Sequence, residues 1–151
     1  MAELRNDSGA LRLALALVSR DGPDRLLCTA GLEYLDQRDG EWWPLVRLPP
    51  IHLAVGAVER LLEGQASFLR GAAQGYAWTP GAAGTIAIHL GAAPGGALLE
   101  VGVDLGDLLA DAGGVPPRAG AELALFRFRA TQRDLVRFSD ALAGELGALG
   151  P

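Results

Sequence analysis

The strongest constraint in this sequence is a period of two in its apolar residues. Between residues 11 and 18, four leucines alternate with Arg12, two alanines and Val18, which places the leucines on one face of a strand. Five further segments alternate in the same way. The sequence therefore predicts about six strands, at residues 11–18, 25–36, 41–48, 85–90, 98–104 and 121–130. Turn-forming residues separate several of them, which is typical of hairpins in an antiparallel sheet.

Two other segments have the spacing of an amphipathic helix. Apolar residues fall three and four apart over residues 51–62, and Gly64 offers a left-handed stop for this first helix. The second helix follows Thr131, which with Asp134 resembles a capping box. Its apolar stripe consists of Leu135, Phe138, Leu142, Leu146 and Leu149. We expect an α+β fold, a mostly antiparallel sheet with both amphipathic helices packed on one face.

The length of 151 residues fits one domain, and we expect a single α+β domain over residues 1–151. Residues 65–84 contain four glycines and a proline, so an irregular segment is expected there. Residues 105–111 fit a strand continuation or a short helix equally, and the sequence does not decide between them. The chain lacks the layout of an export signal and any apolar run of about 18 residues, so we expect a cytoplasmic protein without a membrane span.

Charge and residue usage exclude several kinds of chemistry. The 13 basic residues are all arginine, so neither a Schiff-base lysine nor a P-loop lysine exists. The net charge of −5 and the scattered arginines argue against nucleic-acid binding. Cys28 is the only cysteine, so an intrachain disulfide and a cysteine-based zinc site are impossible.

The residues that carry most enzyme chemistry lack the necessary spacing. His52 and His89 fit no metal-binding motif, and none of the four serines lies in a nucleophile elbow. Cys28 faces the predicted core, where an inert buried thiol is expected rather than a nucleophile paired with His89. We therefore expect no catalytic residue, no metal and no cofactor.

Carboxylates are densest near the end of the fifth predicted strand. They are Glu100, Asp104, Asp107 and Asp111. These acids lack the spacing of an EF-hand, and a hard cation needs six or more oxygens at close range. We expect a solvated face, or pairing with Arg127 and Arg129 across the sheet.

Aromatic residues give the main functional hypothesis. Trp42 and Trp43 are adjacent on a predicted strand, so they face opposite sides and one of them leaves the core. Pro44 places this strand at an edge, because proline cannot donate to a ladder. An exposed tryptophan there favours a contact surface, while a helix or residues 65–84 covering it would remove that surface. The candidate partner-binding residues are Trp42, Trp43, Arg47, Tyr76 and Trp78.

The order of elements also resembles a known family. The residues that carry the likeness are the amphipathic segment 51–63, the Tyr-Ala-Trp-Thr-Pro segment 76–80 and the closing strand that runs into Thr131-Gln132-Arg133-Asp134-Leu135. This pattern is similar to that of the Wap-type immunity proteins of bacterial toxin systems. The resemblance implies a sheet with two helices, no catalytic residues, and neutralisation of a partner toxin.

Two functions follow as hypotheses. The first is a non-enzymatic interaction domain, of immunity type, that binds a protein partner or a second copy of itself through the edge strand near residues 42–47 and the acidic carboxylates. The alternative is a small-molecule-binding domain with a pocket between the sheet and residues 65–84, lined by Phe68, Tyr76 and Trp78.

Overall fold

A computed structural model of the chain describes residues 1–80, 86–104 and 123–150. These residues form nine strands and two helices. The strands are β1 (Ala2–Arg5), β2 (Leu11–Arg20), β3 (Arg25–Leu35), β4 (Trp42–Arg47), β5 (Ile51–Ala54), β6 (Gly75–Trp78), β7 (Ile86–Ala93), β8 (Gly96–Asp104) and β9 (Leu123–Thr131). Helix α1 spans Val55–Leu69, between β5 and β6, and helix α2 spans Gln132–Ala148.

The first five strands form one antiparallel sheet, which we call sheet A. Its order is β1-β2-β3-β4, and β5 pairs with β3 beside β4. In the register of this sheet Leu13 lies opposite both Leu4 and Leu32, and all three are buried. The alternating leucines therefore share one face of the sheet, as the period of two predicts.

The remaining four strands form sheet B, an antiparallel meander in the order β6-β7-β8-β9. Ile88 lies opposite Trp78 and Val101, and Val101 lies opposite Phe126 in turn. Trp78, Ile88 and Val101 are buried, and Phe126 is half-buried. Sheet B thus also has one apolar face.

A single core joins the two sheets and the two helices. Leu13 and Leu32 of sheet A line the same apolar gap as Ile86 and Val101 of sheet B. Helix α1 contacts β5 and β6, helix α2 contacts β1, β2 and β9, and the helices contact each other. Between them the Ser139 hydroxyl donates to the buried Gln65 side chain. The predicted α+β class with antiparallel pairing and two amphipathic helices is confirmed.

The strands are more numerous than the six that the sequence indicates, and they lie in two sheets. Three short strands account for the difference. The sequence does not indicate β1. Strand β6 lies in the segment predicted to be irregular, and β5 lies at the predicted start of the first helix. The apolar spacing at Ile51 and Leu53 is compatible with a strand as well as with the start of a helix. In the structure Ile51 pairs with Cys28 and Leu53 pairs with Leu26, so these residues form a strand. Runs of four residues carry too little periodicity to separate these choices.

The two helices differ in how well their ends follow the sequence. Thr131 is the N-cap of α2, and its hydroxyl accepts from the backbone N–H of Asp134 at 3.2 Å, so the predicted cap is confirmed. The expected stop at Gly64 is wrong, since α1 continues to Leu69. Gly64 is needed there for space: a Cβ built on it would lie 1.9 Å from Cε2 of Tyr76. The ring of Tyr76 therefore packs directly on the helix backbone.

Two glycine substitutions test this packing. We expect Gly64→Ala to lower the free energy of unfolding by about 1–3 kcal/mol, because the added methyl displaces the Tyr76 ring. Gly144→Ala is the matched control in α2, where nothing lies within 4 Å of the added Cβ. It should raise the free energy of unfolding by about 1 kcal/mol through helix propensity. Urea denaturation measures both, and an equal gain in the two variants would contradict the contact between Tyr76 and Gly64.

Candidate functional site

The five candidate residues lie in three different environments. Trp78 is only 3% exposed, and its indole N–H donates to the carbonyl oxygen of Ala57 at 2.8 Å. Tyr76 is half-buried against α1, and its hydroxyl donates to the carbonyl oxygen of Arg60 at 3.0 Å. Trp78 therefore belongs to the core, and both side chains join β6 to α1. Burial removes Trp78 from the predicted partner-binding surface. Tyr76 keeps partial exposure on β6, an edge strand of sheet B within the segment predicted to be irregular.

The same contacts change the alternative of an aromatic pocket. Phe68 does line an open depression of about 330 Å³, together with Gln74, Gln132 and Leu135. Tyr76 and Trp78 do not contribute to it, because both pack against α1. The three side chains proposed to line one pocket are thus divided between a surface depression and the interior.

Strand β4 brings the other candidates together at the edge of sheet A. Trp43 lies opposite Tyr34, and Trp42 lies opposite Leu35, so the two tryptophans face opposite sides as expected. Tyr34 is 39% exposed, Trp43 47% and Leu45 47%. We call these three side chains the Trp43 patch. Tyr34 and Leu45 are not among the sequence candidates, although antiparallel pairing of the second and third predicted strands places Tyr34 close to Trp43.

A bulge in β4 decides the position of Arg47. Leu32 pairs with Val46 and Glu33 pairs with Pro44, so Leu45 is an extra residue in β4. The bulge shifts the alternation by one, and Arg47 shares a face with Pro44 and Trp42, opposite to Trp43. The sequence analysis names Arg47 with both tryptophans as a contact residue, and the structure places it on the face of Trp42, opposite to Trp43.

Trp42 lies under two arginine side chains on the outer face of sheet A. The guanidinium carbon of Arg12 is 4.2 Å from the centre of the Trp42 ring, and that of Arg5 is 5.4 Å away. Arg12 is held by ion pairs with Glu3 and with Glu33, the latter at 2.6 Å. Such cation–π stacking on fixed guanidinium groups orders the indole. Trp42 is thus half-buried by charged neighbours, unlike Trp43.

The free edge of β4 is poorly suited to pairing with another strand. The hairpin closes with Asp36 N–H donating to the Glu41 carbonyl at 2.8 Å. From that pair onward, hydrogen-bonded and non-hydrogen-bonded residue pairs alternate along the two strands. The backbone N–H and C=O of Trp43 therefore face β3, whereas the backbone groups of Trp42 and Pro44 face the free edge. Proline has no N–H to offer at the middle of the edge, and the bulge follows it directly. Both features discourage sheet extension.

The titratable side chains considered as ligands or bases lie apart. In the described part of the chain no three histidine, cysteine or acidic side chains come together as a metal-binding group. His52 Nδ1 is 3.9 Å from a carboxylate oxygen of Asp21, and His89 lies on the exposed face of β7. Glu100 pairs with Arg127 at 3.1 Å, one of the two pairings expected from the sequence. The structure does not describe the side chain of Asp104. Residues 105–111, including Asp107 and Asp111, also lie outside the described residues.

Cys28 is fully buried, as the sequence predicts. Burial, with a smaller contribution from the negative charge of Glu145, raises the pKa of its thiol from 9.0 to about 12. Glu145 is fixed nearby because its carboxylate accepts from the backbone N–H of Leu17 at 2.8 Å. The neutral thiol is the stable form in this environment.

No family model, no curated protein and no solved structure matches the chain. Neither helix in the described residues has the length and apolar content that crossing a bilayer requires.

The contact between Arg12 and Trp42 can be measured with a double-mutant cycle. We expect Arg12→Met and Trp42→Leu to couple by about 0.5–2 kcal/mol in the free energy of unfolding, since each removes the same stacking contact. The control cycle pairs Arg12→Met with Trp43→Leu, on opposite faces of the sheet, and should give no coupling. Urea denaturation supplies the values, and equal coupling in both cycles would contradict the assignment of the stacking to Trp42.

The thiol of Cys28 should be unreactive in the folded protein. At pH 9 a pKa of about 12 leaves roughly one thiol in a thousand ionised, against about half at the ordinary value. Reaction with a chromogenic disulfide reagent should therefore be slow from pH 7 to 9 and become rapid on unfolding in urea. Because folding raises this pKa, the thiol also contributes a loss of stability as pH rises from about 9 towards 12. Rapid labelling of the native protein at pH 8 would contradict the buried position.

Proposed function

We propose that the protein is a non-enzymatic, cytoplasmic interaction domain of immunity type, and that it binds a protein partner through the Trp43 patch. The observation that carries the proposal is the exposure of three large apolar side chains on one pair of strands at the edge of sheet A. Single exposed apolar residues are ordinary, but Tyr34 and Trp43 lie directly opposite each other, with exposed Leu45 two residues along β4, and such a group at a sheet edge favours a contact surface.

The patch favours recognition by side chains over strand addition. Pro44 and the bulge at Leu45 weaken the backbone edge of β4, whereas Tyr34 and Trp43 extend from paired, hydrogen-bonded positions. Tyrosine and tryptophan provide large contact areas with few rotatable bonds, so ordering them on binding costs little entropy. We infer a partner that receives Trp43 in an apolar pocket.

The charge of the chain favours a basic partner. The net charge of −5 repels acidic proteins and accelerates encounter with basic ones. Two acids lie at the tip of the β3–β4 hairpin, the half-buried Asp36 and the exposed Asp39, and both also accept backbone N–H groups within the turn. A basic toxin is one protein of that chemistry, in agreement with the resemblance to immunity proteins. A second copy of this chain is the other molecule that could cover the Trp43 patch, and the test must distinguish it from a protein partner.

The test replaces the central side chain of the patch. The product of a gene adjacent to that of this protein is co-expressed with it, and the affinity of the purified pair is measured by calorimetry. We expect Trp43→Ala to weaken binding at least tenfold, as for a central tryptophan in an interface. Leu125→Ala is the matched control, because Leu125 is 54% exposed on sheet B, and it should leave the affinity unchanged.

Three outcomes would contradict the proposal. They are full affinity in Trp43→Ala, an equal loss in both variants, and no binding by the adjacent gene products. Sedimentation of the protein alone distinguishes self-association: a dimer that Trp43→Ala converts to monomer would assign the patch to a second copy of the chain. Loss of Tyr34 or Leu45 should then produce smaller effects in the same direction.

A further inference from the structure

The outer face of sheet A contains a groove that the Trp43 patch does not use. Its floor is made of small outward-facing residues on the two central strands: Ala14, Ala16, Thr29 and Gly31. Its volume is about 340 Å³, within the range of small-molecule sites. Arg47 and Pro50 close one side, and Glu33 lies at one end.

The groove arises from a change in side-chain size along two strands. Outward positions of a sheet that faces water usually carry long polar side chains. This face does so at Arg12 and Glu33, which pair with each other, and then changes to Ala14 and Gly31, which also pair with each other. Ala14 is only 6% exposed although it points away from the core, because longer neighbours rise around it. The floor is therefore concave and apolar.

Gly31 has a direct part in this shape. Arg47 is its partner across the β3–β4 ladder, so the arginine side chain leaves β4 beside a position that has no side chain. A Cβ on Gly31 would lie 3.1 Å from the carbonyl oxygen of Val46, a tighter contact than most. The glycine thus lets the β4 backbone at Val46 and Arg47 lie close to β3 at the edge of the groove.

The charges around the groove leave Arg47 uncompensated. Arg12 forms ion pairs with both Glu3 and Glu33, and Arg5 forms another with Glu3. These two arginines and two glutamates balance. Among the described residues no carboxylate lies within ion-pair distance of Arg47, which also lines the groove. In a chain with a net charge of −5 this is a local positive site.

We propose that this groove binds a small organic carboxylate. The apolar body of the ligand lies on the floor formed by Ala14, Ala16 and Gly31, and its carboxylate bonds to the guanidinium group of Arg47. A planar guanidinium is suited to a carboxylate because it offers two parallel N–H donors. The site is separate from the proposed protein interface, since Arg47 and Trp43 lie on opposite faces of β4.

Three probes of the same shape and different charge test the proposal: benzoate, benzyl alcohol and benzylamine. Each is titrated into ¹⁵N-labelled protein while backbone amide shifts are recorded. We expect benzoate to produce saturable shifts at residues 14–16, 29–31 and 46–48, with a dissociation constant on the order of 1–10 mM for so small a ligand. Benzyl alcohol should bind at least tenfold more weakly, and benzylamine more weakly still.

Substitutions then separate the apolar floor from the charge. Arg47→Gln should reduce benzoate binding to the level of benzyl alcohol, and Arg47→Lys should retain part of the preference. Ala16→Leu fills the floor and should prevent binding of all three probes, while its amide spectrum reports that the fold is kept. Arg38→Gln, in the exposed turn before β4, is the control for loss of one positive charge and should bind benzoate normally.

The proposal is overturned by any of four results, and three of them concern benzoate, Arg47→Gln and Ala16→Leu. These are shifts that do not saturate with benzoate, an unchanged preference for benzoate in Arg47→Gln, and normal binding in a folded Ala16→Leu variant. Equal weakening by Arg38→Gln and Arg47→Gln would also overturn it, because the preference would then reflect overall charge alone.

Discussion

Strand β3 is the element on which the arrangement of sheet A depends. It has eleven residues, enough to pair with β2 along one edge and with two successive strands along the other. β4 occupies one part of that second edge and β5 the rest, and Leu48 N–H bonds the Ala30 carbonyl at 3.0 Å where the chain passes between them. From β5 the chain enters α1 directly, and Val55 N–H bonds the Asp24 carbonyl at 3.0 Å. Near the turn of the β3–β4 hairpin, Tyr34 and Trp43 are exposed to solvent.

Much of this layout follows from periodicity, because alternation determines which residues share a face. The burial of Leu13 and Leu15 on β2 and the opposite orientation of Trp42 and Trp43 are predicted on that basis and are confirmed. The edge position of β4 is confirmed as well, but its prediction comes from the missing N–H of Pro44. Periodicity does not determine which strands pair. The division into two sheets arises because α1 separates β5 from β6, so the later strands form a ladder of their own.

The aromatic residues mark the limit of the sequence argument for the site. Trp43 and Trp78 are equally apolar and both lie in short strands, yet Trp43 is 47% exposed and Trp78 3%. The difference is tertiary: α1 offers Trp78 a carbonyl partner at Ala57 and leaves a glycine under Tyr76, whereas no element covers the end of the hairpin at Trp43 in the described residues. A glycine inside a helical pattern was a usable indication, since a close packing partner is one reason for its presence there.

The bulge at Leu45 gives the two faces of β4 separate roles. Without the extra residue, alternation would place Trp43 and Arg47 on the same face, and an apolar contact surface would carry a guanidinium group at its border. With it, Arg47 joins Trp42 and Pro44 on the outer face, beside Gly31, while Trp43 remains with Tyr34. A shift of one residue in register thus separates the apolar surface that we propose for a protein partner from the groove at Arg47 that we propose for a small carboxylate. Removing the bulge would merge the two, so both proposals depend on this local irregularity more than on any single side chain.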